Sequence, residues 1–252
     1  MTPPFKDLFS RDSAAYAEFR PRYPAELFQW LASLTHRRDL VWDAGTGNGQ
    51  AAVALAEQFQ RVVATDPSER QLAEATMHPR VEYRRAGEES GLAAGAVDLV
   101  TVAQALHWFD RPRFWVDVKR ILRPGGVLAV WCYQLQRVSP AIDRVIGEFY
   151  HETIGPYWPS NRKLVDAGYR DIGFPFEEIT APTFSMTAEW SLAHELGYLG
   201  TWSAVAKARE ATGRDPVAEL GPALERVWPP HEIHRVEWPV SLRVGRTAST
   251  EQ

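Results

Sequence analysis

Between residues 40 and 133, short apolar, β-branched runs alternate with amphipathic segments of helical length. That is the pattern of a parallel sheet whose strands are buried on both faces by helices. Strands are predicted at residues 40–44, 61–65, 81–85, 97–102 and 127–131, each bounded by Gly, Pro or charge. Residues 50–60 are Ala-rich and carry the apolar Val53, Leu55, Ala56 and Phe59, as a packed helix requires. A second helix, 68–75, opens after Pro67 with Ser68 as its cap, and a third, 111–122, stops before Arg123-Pro124-Gly125-Gly126. Ahead of the first strand, residues 25–34 read as a helix. The aromatic and basic segment before it, Tyr16-Ala17-Glu18-Phe19-Arg20-Pro21-Arg22-Tyr23-Pro24, is placed to fold over the sheet edge.

Beyond residue 133 the pattern changes to helical stretches near 141–151, 187–212 and 216–227, joined by Pro- and Trp-rich links, with strand-like runs at 177–184 and 235–244. Two more strands complete a doubly wound, mostly parallel sheet of seven. The excursion between them is too long for a hairpin loop, so its helices are expected to form a cap inserted in the C-terminal part. The expected organisation is a lid segment and first helix over 1–36, a ligand-binding core over 37–135, and over 136–252 the cap with the last two strands, all in a single structural domain.

Composition narrows the function classes. Across 252 residues, 45% are hydrophobic and 24% charged, which fits a folded globular chain and excludes disordered and collagenous classes. The net charge of −4, without a long basic run, argues against nucleic acid as a partner. The single Cys132 rules out an intrachain disulfide or a Cys-based zinc cluster. With no signal-like N-terminus and no apolar run near the roughly 20 residues that cross a bilayer, a reducing, cytoplasmic setting without a membrane partner is expected. Five of the ten tryptophans follow residue 150, where they either line a pocket or fill a second core.

The strongest chemical signal is Asp43-Ala44-Gly45-Thr46-Gly47-Asn48-Gly49, a strand running through three alternate glycines into a helix. Such glycines allow positive φ and let a ligand lie against main chain, while the helix start offers free N–H groups. A dinucleotide fingerprint needs its third glycine where Gln50 stands, so the spacing argues for another nucleotide-like ligand. At the end of the second strand Asp66 precedes Pro67 and lies at the carboxyl edge of the sheet, where a carboxylate accepts both hydroxyls of a ribose.

Together with Val97-Asp98-Leu99-Val100, Gln104-Ala105-Leu106-His107-Trp108 and Leu122-Arg123-Pro124-Gly125-Gly126, these residues resemble the class I S-adenosylmethionine-dependent methyltransferases, over about residues 35–133. The flank Tyr16-x-x-x-Arg20-Pro21-x-Tyr23-Pro24 and the Trp-rich tail are similar to a narrower subgroup that includes trans-aconitate methyltransferase-like enzymes. The resemblance implies a Rossmann-like fold, S-adenosylmethionine as cofactor, and methylation of a small-molecule acceptor. It places Gly45, Gly47 and Gly49 beneath the methionine portion, Asp66 on the ribose, and Asp43 behind the glycine loop, with Ala44 and Pro67 flanking these positions. Tyr16 and Arg20 would take the methionine carboxylate. Where the family often has Gly-Asp-Ala-Glu, this chain has Arg85-Ala86-Gly87-Glu88, so adenine recognition falls to main chain at Gly87 and Glu88.

The family sets Gln104, Ala105, His107 and Trp108 near the transferable methyl group. His107 is the candidate catalytic residue, as a general base or as a positioning group; a carboxylate acceptor, already ionised, needs no base. For the acceptor pocket the candidates are Trp108, Trp158, Arg162, Trp190, Tyr198 and Trp202. The last three, spaced by eight and four, fit one face of a helix in a pocket wall or equally in a core. Arg162 or Lys163 suits an anionic substrate or is simply solvated. His231 and His234 follow Pro229-Pro230 outside a helix, so no metal is expected. Two rival readings are a nicotinamide-dependent reductase and a noncatalytic S-adenosylmethionine-binding regulator.

Overall fold

The computed structural model describes residues 20–248. The described chain opens with α1 (Ala25–Ser33), then alternates β1 (Leu40–Ala44), α2 (Gln50–Ala56), β2 (Arg61–Asp66), α3 (Glu69–Ala73), β3 (Val81–Arg85), β4 (Val97–Ala103), α4 (Arg111–Ile121) and β5 (Leu122–Tyr133). The expected local chemistry appears at the helix starts. Ser68 accepts from Gln71 N–H at 3.3 Å and Asp110 accepts from Arg113 N–H at 3.3 Å, each satisfying one of the free N–H groups of a first turn.

Strands run in the order β3-β2-β1-β4-β5, all parallel, so the loops after β1, β2, β3 and β4 gather at one edge. Asp98 and Arg123 hold the opposite end. The Asp98 carboxylate accepts from the N–H groups of Asp39 and Leu40 at 2.8 and 2.9 Å and lies 2.9 Å from the Arg123 guanidinium. Two of the motif residues therefore serve the fold rather than the ligand. One face of the sheet packs under α1 and α2 through Leu27, Leu31, Leu55 and Phe59, the other under α4 through Phe114, Val118 and Ile121.

The C-terminal part contains α5 (Pro140–Glu148), α6 (Arg162–Asp166), β6 (Glu177–Ile179), β7 (Phe184–Ser191), α7 (Leu192–Gly200), α8 (Ser203–Thr212), α9 (Pro216–Glu225) and β8 (Ile233–Arg246). β8 pairs antiparallel with β5, and β6 and β7 pair antiparallel with β8, giving eight strands among the described residues where seven are expected. β6 matches residues 244–246 of β8 and β7 matches 233–240, so the two occupy one lane, interrupted at residues 180–183. Pro182 in that break has no N–H to give the ladder.

This edge corrects two expectations. The strand expected over 177–184 breaks and resumes to Ser191, and the first residues of the helix expected over 187–212 belong to β7. The helix begins only after Ser191, whose hydroxyl accepts from His194 N–H at 3.3 Å. It divides again at Trp202, the residue before α8. Thr187, Glu189 and Ser191 alternate with Ala188 and Trp190 at the period of a strand, and that two-residue pattern overrides the helical composition around it. The cap also includes α5, which lies ahead of β6. It has its own core of Ile142, Ile146, Trp190, Leu199, Trp228 and Trp238.

Candidate active site

At the carboxyl edge of the parallel strands lies a cavity of ≈ 240 Å³, roofed by the cap and by residues 20–23. Its floor is the β1–α2 loop. Gly45 and Gly47 have φ of +69° and +57°, where a side chain is strained. A Cβ on Gly45 would stand 2.6 Å from Ala105 Cβ, whereas around Gly47 the nearest atom would be Gln71 Oε1 at 3.7 Å. The loop is held from below. Asp43 is fully buried and accepts from Thr46 and Thr101 hydroxyls, both at 2.6 Å. Burial pushes its carboxyl up to about 6, opposed by those two bonds, with nearby Asp66 adding to the rise.

Asp66 ends β2 and receives Gly47 N–H at 2.9 Å and Ser68 N–H at 2.8 Å on different oxygens. Pro67, Gly87, Glu88, Gln104 and Ala105 continue the wall. Gln104 sits at φ +56°, uncommon for a residue with a side chain, because its Oε1 accepts Tyr133 N–H at 2.9 Å while its own N–H reaches Trp131 O at 2.8 Å. Residues 20–23 close the top. Gln50 Nε2 donates to Pro21 O at 3.1 Å, and the Arg20 guanidinium donates to the Tyr133 hydroxyl and lies 5.2 Å from the Tyr198 ring centre.

The far end of the cavity is aromatic and cationic. Trp158, Tyr198 and Trp202 line it, with the Trp202 ring centre 5.7 Å from each of the other two. Arg162 stacks over Trp158 at 4.6 Å, while its Nε donates to Tyr150 at 2.6 Å and to Asp166 at 3.2 Å. The Trp158 indole N–H is buried without a partner among the described residues. His107 lies in a short 3₁₀ turn, Leu106–Trp108, with Nδ1 2.9 Å from the Tyr169 hydroxyl. Burial, then the charge of Arg162, pushes this imidazole down to about 3, so it stays neutral through the physiological range.

Of the residues singled out in the sequence, Arg20, Gly45, Gly47, Asp66, Pro67, Gly87, Glu88, Gln104, Ala105, His107, Trp108, Trp158, Arg162, Tyr198 and Trp202 meet at this cavity. Tyr16 lies outside the described residues. Asp43 and Ala44 are buried behind the loop, off the cavity wall. Gly49 is also off it: at φ +86° it leaves room for Tyr83, whose hydroxyl would be 2.1 Å from a Cβ there. Trp190, on β7 rather than a helix, packs on Trp238 at 4.6 Å and His194 at 4.4 Å in the cap core. The cavity also includes Phe109, Tyr133 and Gln136. Tyr133, the last residue of β5, and Gln136 just beyond it stand at a strand end where a ligand is expected; Tyr169, 62 residues from His107, has no local signal.

Residues 42–130 match a family model described as a methyltransferase domain. A Dictyostelium discoideum protein carrying a methyltransferase name is 40% identical over 229 residues, covering 89% of this chain and 87% of its own. A solved structure from Anaeromyxobacter dehalogenans, named as a type II methyltransferase, is 46% identical with a TM-score of 0.86, covering 91% of this chain and 99% of its own. A Saccharomyces cerevisiae protein named for S-adenosylmethionine-dependent methyl transfer is 32% identical over 133 residues, covering 48% of this chain and 45% of its own.

Proposed function

The chain belongs to the class I S-adenosylmethionine-dependent methyltransferases, enzymes with S-adenosylmethionine as cofactor, and from that premise we propose that it methylates a small molecule through an anionic oxygen, with a carboxylate as the acceptor group. Family membership displaces the nicotinamide-dependent alternative. The residues present suit the cofactor. Gly47 and Gly87 leave open main chain, with nothing nearer than 3.7 Å at the first and nothing within 4 Å at the second. We assign the methionine portion to Gly45 and Gly47, its carboxylate to Arg20, the ribose to Asp66 with Pro67 beside it, adenine to main chain at Gly87 and Glu88, and the sulfur to the side of Gln104 and Ala105. Asp43 and Ala44 support the loop from behind, and Gly49 gives Tyr83 its place.

When bound, S-adenosylmethionine supplies an electrophilic methyl group on a positively charged sulfur. The chain's own part is orientation and exclusion of water. Trp108, Trp158, Tyr198 and Trp202 wall the acceptor end, and the Arg162 guanidinium offers a planar fork to a carboxylate. The observation that carries the reading is the chemistry of this lobe: a guanidinium stacked on an indole, and an imidazole too weakly basic to take a proton near neutral pH. Such a lobe suits a nucleophile that arrives ionised. The likeness of the N-terminal flank and Trp-rich tail to trans-aconitate methyltransferase-like enzymes points the same way.

The test is turnover with S-adenosylmethionine across a panel of small carboxylic acids, phenols and amines. The expected result is methyl ester formation, with Arg162→Met raising KM about tenfold, as loss of a charge-assisted contact should, while affinity for S-adenosylhomocysteine is unchanged. Turnover of amines alone would overturn it.

A further inference from the structure

His107 is held from two sides by residues far from it in sequence. Asn161 Nδ2 donates to its carbonyl at 2.8 Å, and the Tyr169 hydroxyl meets Nδ1 at 2.9 Å. Tyr169 is fully buried and sits at φ +61°, a left-handed conformation that a bulky side chain adopts only when its surroundings enforce it. Those surroundings are visible. Its N–H donates to Leu164 O at 2.8 Å, its carbonyl accepts from Arg243 Nη1 at 2.7 Å, and Gly168 just before it, also left-handed, would set a Cβ 2.6 Å from Ser241 Oγ. The strained backbone is what brings the phenol to the imidazole.

The direction of the hydrogen bond follows from what else reaches the phenol oxygen. Among the described residues no second acceptor lies within hydrogen-bond reach of that buried hydroxyl, so its proton goes to Nδ1 rather than being left unpaired. Burial keeps the phenol protonated. A neutral imidazole whose Nδ1 accepts must carry its own proton on Nε2. Because the ring lines the cavity, the nitrogen not bonded to Tyr169 is the one left for the acceptor molecule.

We propose that Tyr169 is a positioning residue that fixes the tautomer of His107, so that His107 meets the acceptor as an Nε2–H donor and not as a base. The proposal deepens, and rests on, the reading of the lobe as a site for an anionic oxygen: Nε2–H joins the Arg162 guanidinium as a second donor at the acceptor end.

Multiple-bond ¹H–¹⁵N spectra of the imidazole groups, with His107→Ala for assignment and S-adenosylhomocysteine bound, test it. In the wild-type protein His107 is expected as the neutral Nε2–H tautomer from about pH 5 to 8. In Tyr169→Phe it is expected as a mixture of tautomers, with S-adenosylhomocysteine affinity unchanged and KM for a carboxylate acceptor raised. An Nδ1–H tautomer in the wild-type protein, or the same Nε2–H tautomer undisturbed in the variant, would overturn the proposal. Should Tyr169→Phe fail to fold, the wild-type spectrum still decides, since it shows which nitrogen is protonated. The expected tautomers without carboxylate turnover would instead refute the substrate reading and leave the Tyr169–His107 pairing standing.

Discussion

Glu195 lies on α7 with no exposed surface, its Oε1 accepting from Gln136 Nε2 at 2.5 Å. Among the described residues, neither its Oε2 nor Gln136 Oε1 has a partner. Burial pushes its carboxyl from the ordinary 4.5 up to about 8, the bond from Gln136 offsetting only part of the rise, so the group is protonated at neutral pH. A folded-state value above the unfolded one means that stability is highest below 4.5 and falls as pH rises through about 8. At about 1.4 kcal/mol per pH unit, the loss by pH 7 is on the order of 2–4 kcal/mol. Glu195→Gln retains the shape and the bond from Gln136 and cannot ionise. The variant should match the wild-type protein below pH 4.5 and exceed it by that margin near pH 7. Urea unfolding followed by tryptophan fluorescence at a series of pH values measures the difference. Asp43, also shifted upward, contributes to both proteins and cancels. Parallel pH curves, or a variant less stable near pH 8, would refute the reasoning.

Two other sites separate fold from function. Gly47→Ala should cost only about 1–2 kcal/mol, the strain of a left-handed side chain in open space, yet abolish detectable S-adenosylhomocysteine binding by thermal shift. Gly49→Ala adds a collision with Tyr83 to that strain, so the fold itself should suffer more, with urea unfolding as the measurement. Cys132 is fully buried and its thiol is pushed up to about 12, chiefly by burial. It should be silent to a thiol reagent in native protein and react stoichiometrically in urea.

The parallel half of the fold was legible because its strands are short apolar runs closed by glycine, proline or charge, a signal contained within a few residues. The position of Asp66 and the first two glycines at the cavity was legible for a related reason: their chemistry and their place at a strand end coincide. Gly49 shows the limit of spacing, since a positive φ at a helix start looks the same whether it makes room for a ligand or for Tyr83. Trp190, Tyr198 and Trp202 share an apparent helical period, but Trp190 stands on β7, where a short two-residue alternation competes with that period and pairing with β8 settles it. Tyr169 was invisible for the same reason as Glu195. What matters in each is a partner, His107 or Gln136, brought close only by the tertiary fold.

Isothermal titration of S-adenosylhomocysteine into the wild-type protein and Asp66→Ala tests the central claim most directly. The account predicts binding at a single site, weakened at least about thirtyfold in a variant with an unchanged far-UV spectrum, the loss expected when a carboxylate no longer accepts two ribose hydroxyls. No heat with the folded wild-type protein, or equal affinity in the two, would contradict it.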